Sequence, residues 1–234
     1  MKNMILASTS TLHGSTYLAY LKEPLESLFE NCNEVLFIPF ARPGGISHEE
    51  YTKRVAAYFE KIGKKVRGIT HLNESIPLLK DAEAIFTGGG NTFLLVHTLY
   101  KSAAMELLRN KILNGVPYLG TSAGSNIAGL TMQTTNDMPI IYPPSFKTMG
   151  LVPFNINAHY LDPDENSKHM GETRETRIRE FHYFNTQPVV GLREGSWLNV
   201  NGNSITLKGN LTARIFEQHK AAYEVAPETA LTIK

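Results

Sequence analysis

The sequence contains a single cysteine, Cys32. That excludes an intrachain disulfide and any metal site built from cysteines. Net charge is lacking as well. Its 23 basic and 22 acidic residues leave no field to hold a phosphate backbone, so nucleic acid is not an expected partner. No stretch approaches the roughly 18–20 apolar residues of a membrane helix. The opening "MKNMILASTSTLHGS" turns polar too soon to be the apolar core of a signal peptide. Repeats, low-complexity tracts and linkers are missing too. What remains is an ordinary globular balance, in a length that buries one large core. The expectation is a single α/β domain over residues 1–234, a cytoplasmic enzyme or binding protein with no membrane partner.

The first half alternates. "MILAST", "EVLFIPFA", "KKVRGIT", "AIFTGGG" and "VPYLGTS" read as short buried strands bounded by Gly, Pro, Ser or Asn. "STYLAYLKEPLESLFEN" reads as a helix that Pro24 breaks or delays. "SHEEYTKRVAAYFEKIG" has Ser47 as N-cap, Glu49 and Glu50 in the first turn, and Gly63 at the stop. From Asn91 to about Asn114 the pattern predicts one long amphipathic helix closed by Gly115. Such alternation implies a mostly parallel sheet sandwiched by helices. Beyond Ser122 the pattern loosens. "GLTMQTT", "NINAHY", "PVVGLREGSWLNV", "NSITLKG" and "LTARIFE" predict strands, with a hairpin turn at "NVNGNS" and a helix in "GETRETRIREFHYF". These strands, some antiparallel, are expected to extend the same sheet in the C-terminal half.

Chemistry enters at Gly120-Thr121-Ser122-Ala123-Gly124, a G-x-S-x-G pattern at a strand-to-helix turn. A serine hydroxyl is a poor nucleophile unless a base lies in reach and backbone donors await the oxyanion. The turn exposes Oγ at the sheet's C-terminal edge and aims helix N–H groups, including that of Ala123, at developing charge. The plainer reading of the pattern is a small residue at an ordinary turn. "FTGGGNTF" follows a strand and precedes a helix, the place for an anion-binding backbone nest at Gly88, Gly89 and Gly90. It matches neither phosphate-loop nor dinucleotide patterns, and its plainer reading is a turn capped by Asn91. Of eight histidines, His48, His97 and His182 fall in helical or solvated settings. His159, ending the strand "NINAHY", is placed to reach the sheet edge. Asp137 in "TTNDMPI" and Glu194 in "LREGSW" both qualify as its carboxylate partner, and spacing does not choose between them.

These motifs together resemble a known family. "FIPFA", "GGGNTF", "SAG", "TTNDMPI", "N-x-H", "KHMGETRETRIRE" and "GLREGSWL" stand in the order seen in peptidase E, the aspartyl dipeptidases, and the match covers nearly the whole chain. The resemblance implies a class I glutamine amidotransferase-like α/β sandwich and a serine peptidase that needs no metal or other cofactor. Its substrate would be a small peptide with an N-terminal aspartate. It implies Ser122 as nucleophile, His159 as base, and Asp137 as the usual third member, with Glu194 competing. Gly89, Gly90 and Ala123 would line the oxyanion hole. Arg174 would bind the aspartate carboxylate, with Asn91, Thr92, Arg177 and Glu172 as further substrate contacts. Arg174 and Arg177 share a helix face, and guanidinium pairs bidentately with carboxylate. Without the resemblance the default for both is surface pairing with Glu172, Glu175 and Glu180. Two departures from the family pattern, Thr121 before the serine and Ser125 after it, touch no chemical role, and Ser125 reads as helix filler. Other readings are a cyanophycinase-like hydrolase of β-aspartyl dipeptides and a non-catalytic binder of acidic ligands. An esterase fits less well because Asp137 follows Ser122 too closely. A glutamine amidotransferase would need cysteine at the turn.

Overall fold

The computed structural model of the chain describes residues 1–163 and 171–233. Lys168, His169 and Met170, which open the helical motif quoted above, lie outside the described residues. Five parallel strands form the heart of a seven-stranded sheet: β1 (Asn3–Ala7), β2 (Glu34–Ile38), β3 (Lys65–Gly68), β4 (Ile85–Thr87) and β5 (Tyr118–Thr121), in the order β3-β2-β4-β5-β1. Helices cover both faces because the strands are apolar on both. Ile5, Val35, Phe37, Phe86 and Leu119 pack with residues of α1 (Lys22–Leu28) and α2 (His48–Phe59). Their neighbours Met4, Leu36, Ile85 and Tyr118 face α3 (Ser75–Asp81), α4 (Thr92–Lys101) and α5 (Ala104–Leu113). The period-two alternation thus separates two cores across one sheet.

Local signals explain most helix ends. Ser47 and Glu50 form a reciprocal capping box at the start of α2. Pro24 falls in the first turn of α1, where its missing N–H leaves no intrahelical bond unmade. One expectation fails: the long helix over 91–114 is two helices. Ser102 turns its hydroxyl back onto the Thr98 carbonyl at 2.9 Å, and Ala103 takes a left-handed φ of 54°. The side chain competes with the backbone ladder there, and the helix restarts at Ala104.

The second half departs further. The strands are β6 (Asn155–Ala158), β7 (Val189–Leu192), β8 (Trp197–Asn201), β9 (Ser204–Lys208), β10 (Ala213–Phe216) and β11 (Tyr223–Val225). Among the described residues only β8 and β9 extend the first sheet, β8 antiparallel to β1 and β9 antiparallel to β8, and the hairpin between them turns at Gly202 with φ 59°. The others form a second sheet in the order β11-β10-β7-β6. The expectation of one extended sheet is therefore corrected. A tight turn closed by the Ser196 N–H on the Arg193 carbonyl hands the chain from the second sheet to the first. "GLTMQTT" makes only an isolated bridge, Thr131 to Lys147. The Asn155 side chain takes the Thr131 N–H that a ladder would have used. Among the described residues two helices complete this half, α6 (Ala123–Asn126) after β5 and α7 (Arg174–Phe181) over the second sheet. Ile178 of α7 packs on Tyr160, Val189 and Phe216. Among the described residues no helix is long and apolar enough to cross a membrane.

The second sheet carries an ion network in which Arg193 and Arg214 both bind Glu224. Burial opposes ionisation of Glu224, but hydrogen bonds from Arg193, Thr212 and Arg214 outweigh it and hold the carboxyl down at about 2. A carboxyl depressed on folding adds stability that is complete above its unfolded value, near 4.3, and drains as pH falls toward the folded value. The expected outcome is a Tm that drops between pH 4.5 and 2 in the native protein. Glu224→Gln should flatten that drop, and a scan of Tm against pH on both proteins checks it.

Candidate active site

At Ser122 the chain leaves β5 and reverses into α6 with φ 53° and ψ −111°. A serine holds such a backbone only under constraint. The constraint is local and buried. The Ser122 N–H donates to the Ala7 carbonyl at 3.0 Å. The buried Ser125 hydroxyl lies 2.7 Å from the Ala7 carbonyl and 2.8 Å from that of Gly120. Ser125 is thus an anchor between α6, β1 and β5 rather than filler. A Cβ on Gly124 would stand 2.1 Å from the Thr87 carbonyl oxygen, so glycine alone lets α6 seat against the end of β4.

The glycine loop after β4 is equally tight. Gly90 has φ 148°, and a Cβ there would lie 2.2 Å from the Ala41 carbonyl oxygen. The Asn91 N–H donates to that same carbonyl at 2.7 Å. Gly89 borders Ser122 so closely that its own Cβ would sit 3.0 Å from the serine's. Among the described residues, the N–H groups of Gly89, Gly90 and Ala123 donate to no protein acceptor. Gly89 and Ala123 adjoin the serine, and free N–H groups so arranged receive negative charge.

His159 comes from the second sheet. β6 and β7 are parallel neighbours with Ala158 opposite Leu192, so the residues just past them, His159 and Glu194, leave at adjacent exits. Nε2 of His159 lies 2.9 Å from Ser122 Oγ, and Nδ1 lies 2.6 Å from Glu194 Oε1. His159 itself has φ 55°. Its N–H donates to Ser8 Oγ at 2.9 Å, and the Ser8 hydroxyl donates to the Leu192 carbonyl at 2.7 Å. Ser8 escapes a motif search. Its signal is its place one residue beyond a buried strand, at the sheet's C-terminal edge. His159 and Glu194 are 38% and 46% exposed, so both are open to solvent. His182, expected in a solvated setting, is buried with Nε2 3.0 Å from the Gln187 carbonyl.

Asp137 lies elsewhere. Its Oδ2 accepts the Thr92 N–H at 2.7 Å and the Thr135 hydroxyl at 2.9 Å, which places a carboxylate at the positive end of α4. Of the two carboxylates left open by spacing, the structure pairs Glu194 with the imidazole. Asn91 caps α4 through the Leu94 N–H and donates to the Met138 carbonyl. Thr92 Oγ1 receives Asn126 Nδ2 at 3.2 Å, while Asn126 Oδ1 accepts the Ala158 N–H at 3.3 Å. Asn91 and Thr92 are therefore engaged in fixing the glycine loop to α6 and β6.

Arg174 opens α7 half-buried. Burial and the neighbouring Arg177 lower its pKa, while the charge of Asp137 opposes that shift. It stays a cation at neutral pH, and among the described residues it forms no ion pair. Arg177 and Glu172 pair with each other at 3.7 Å, both more than half exposed, a contact worth little. Glu175 binds Arg179 and Arg214 instead.

Comparison with known proteins follows this geometry. The family model described as Peptidase family S51 matches residues 4–208. "Peptidase E" of Streptomyces coelicolor is 45% identical over 224 residues, 96% of this chain and 91% of the relative. "Probable alpha-aspartyl dipeptidase" of Drosophila melanogaster is 43% identical over 234 residues, 99% of this chain and 96% of the relative. The crystal structure of a peptidase from an acI-B1 Actinobacterium superposes with a TM-score of 0.76 at 17% identity, covering 100% of this chain and 97% of that one. At that identity the likeness concerns the fold.

The seating of α6 is directly testable. Gly124→Ala drives a methyl into the Thr87 carbonyl and should destabilise by about 1–3 kcal/mol, as overpacking does. Denaturant unfolding measures it, and an unchanged midpoint would contradict the close approach.

Proposed function

The chain belongs to peptidase family S51, and we propose that it is a serine dipeptidase that cleaves Asp-Xaa dipeptides after the N-terminal aspartate. The observation that carries this reading is the line of contacts from Ser122 Oγ through His159 to Glu194, at 2.9 and 2.6 Å. With Nδ1 protonated and donating to Glu194, Nε2 is free to take the Ser122 proton as Oγ attacks the peptide carbonyl. The imidazolium then protonates the leaving amine. Water, activated by the same imidazole, releases aspartate from the acyl-enzyme. Glu194 holds the tautomer and offsets the imidazolium charge. The N–H groups of Gly89 and Ala123 receive the oxyanion, with Gly90 shaping the loop; one such donor is worth about 10²–10³ in rate.

Selectivity follows from charge. Arg174, a half-buried cation without a carboxylate partner among the described residues, takes the substrate's side-chain carboxylate. The substrate's free ammonium needs an acceptor, and Asp137, whose charge acts on Arg174, supplies it. Asp137 then serves binding rather than proton transfer. Arg177 and Glu172, paired to each other, are rim contacts.

The test is a panel of Asp-Leu, Glu-Leu, Asn-Leu, β-Asp-Leu and N-acetyl-Asp-Leu. Asp-Leu should be cleaved best and the acetylated peptide least. Preference for β-Asp-Leu would favour a β-aspartyl hydrolase, and turnover of none would favour a ligand-binding protein. Ser122→Ala should lose at least about 10³-fold in kcat. The two carboxylates separate by kinetic signature. Glu194→Gln should lower kcat about 10²-fold or more with KM little changed. Asp137→Asn should act mainly on KM, and the reverse pattern would exchange their roles. Arg174→Ala should cost about 10²-fold in kcat/KM for Asp-Leu; an unchanged value removes it from the pocket.

A further inference from the structure

Arg193 immediately precedes Glu194 and points the other way. Only 14% of its side chain is exposed, and its fork is fully engaged. Nε and Nη2 grip Asp162 bidentately at 2.8 and 2.6 Å. Nη1 donates to the carbonyl and hydroxyl oxygens of Thr212 at 2.7 and 2.9 Å and to Glu224 at 2.8 Å, with Nη2 adding Glu224 at 3.1 Å. The guanidinium also lies over the Tyr160 ring, 5.5 Å from its centre. Tyr160 follows His159 directly, and Asp162 stands two residues further on. Both partners therefore belong to the segment that leaves β6 with His159, while Arg193 belongs to the segment that leaves β7 with Glu194. The Tyr160 N–H bonded to the Leu192 carbonyl at 3.1 Å closes the other side of the same junction.

We propose that Arg193 and Asp162 form a staple that holds the exits of β6 and β7 together and so sets the His159–Glu194 contact. Both are positioning residues, since neither touches the reacting atoms. A hydrogen bond between two half-exposed side chains competes with water, and its geometry depends on the backbones that carry it. A planar fork on a carboxylate fixes distance and orientation together, which a lysine's point charge does not. The proposal rests on the dipeptidase reading above for its rate measurements, and one readout is chosen to be independent of substrate.

The variants are Asp162→Asn and Arg193→Lys, with Arg214→Gln as control. Arg214→Gln removes two ion pairs from the same network, those to Glu175 and Glu224, without touching either staple residue. Loss of the staple should lower kcat for Asp-Leu about ten-fold with KM within about two-fold, as expected for misplaced catalytic groups. Arg214→Gln should lower Tm and leave kcat alone. In a Glu194→Gln background, Asp162→Asn should cost nothing further, because the residue through which it acts is gone. The substrate-independent readout is the downfield proton resonance of His159 Nδ1–H, identified by its loss in Glu194→Gln. It should broaden or move upfield in Asp162→Asn and persist in Arg214→Gln. Unchanged kcat and resonance in both staple variants overturn the proposal, as does an equal, additive loss in the Glu194→Gln background. If the native protein shows the resonance but cleaves no Asp-Leu, the substrate assignment fails while the resonance still decides the staple.

Discussion

Everything at the candidate site depends on holding Ser122 in a backbone conformation that a serine does not choose. Strain of this kind costs of order 1–3 kcal/mol and persists only where the surroundings over-determine it. Here the Ala7 carbonyl is gripped twice, by the Ser122 N–H and by the Ser125 hydroxyl, so the turn is fastened to the neighbouring strand β1 rather than to a loop. Gly124 then lets α6 press on the end of β4, which brings the glycine loop against the serine. The exposed Ser122 hydroxyl and the free N–H groups beside it are therefore consequences of one packing event.

His159 and Glu194 are delivered by a different device. Parallel neighbours in the second sheet end at the same level, and the residues just past their ends meet without a long reach. Ser8 connects the two devices. It stands at the exit of β1, accepts the His159 N–H, and donates to the last carbonyl of β7. Two sheets are thereby registered to each other at the one point where misregister would separate Oγ from Nε2.

Legibility in the sequence followed the range of the interactions. Ser47 and Glu50, three residues apart, declare their helix start openly, and so does the alternation of apolar residues that splits the core into two. The glycine loop and the serine turn are legible for the same reason, since each is a contiguous backbone requirement. The division at Ala103 was not legible, because it rests on a Ser102 side chain choosing its own helix carbonyl over solvent. The choice between Asp137 and Glu194 was hidden more deeply. Both follow strand-like or turn-like stretches, and only the pairing of β6 with β7 decides which of them stands beside His159. In the sequence the second sheet reads as an extension of the first, because short apolar strands look alike whichever sheet they join.

A parallel pair cannot be joined by a tight turn, so the chain must cross over between β6 and β7. α7, with Arg174 at its start, lies on that crossing. The contacts proposed to break the bond sit on the fixed ends of the pair, whereas the charge that would select the substrate rides on the detour between them. On the proposed reading, chemistry and selectivity occupy separable pieces of one chain. The detour's first residues are tied to Arg193 and its helix to the second sheet through Ile178, so a change in the detour that spares those two attachments would reach the selecting charge and leave the Ser122–His159–Glu194 contacts in place.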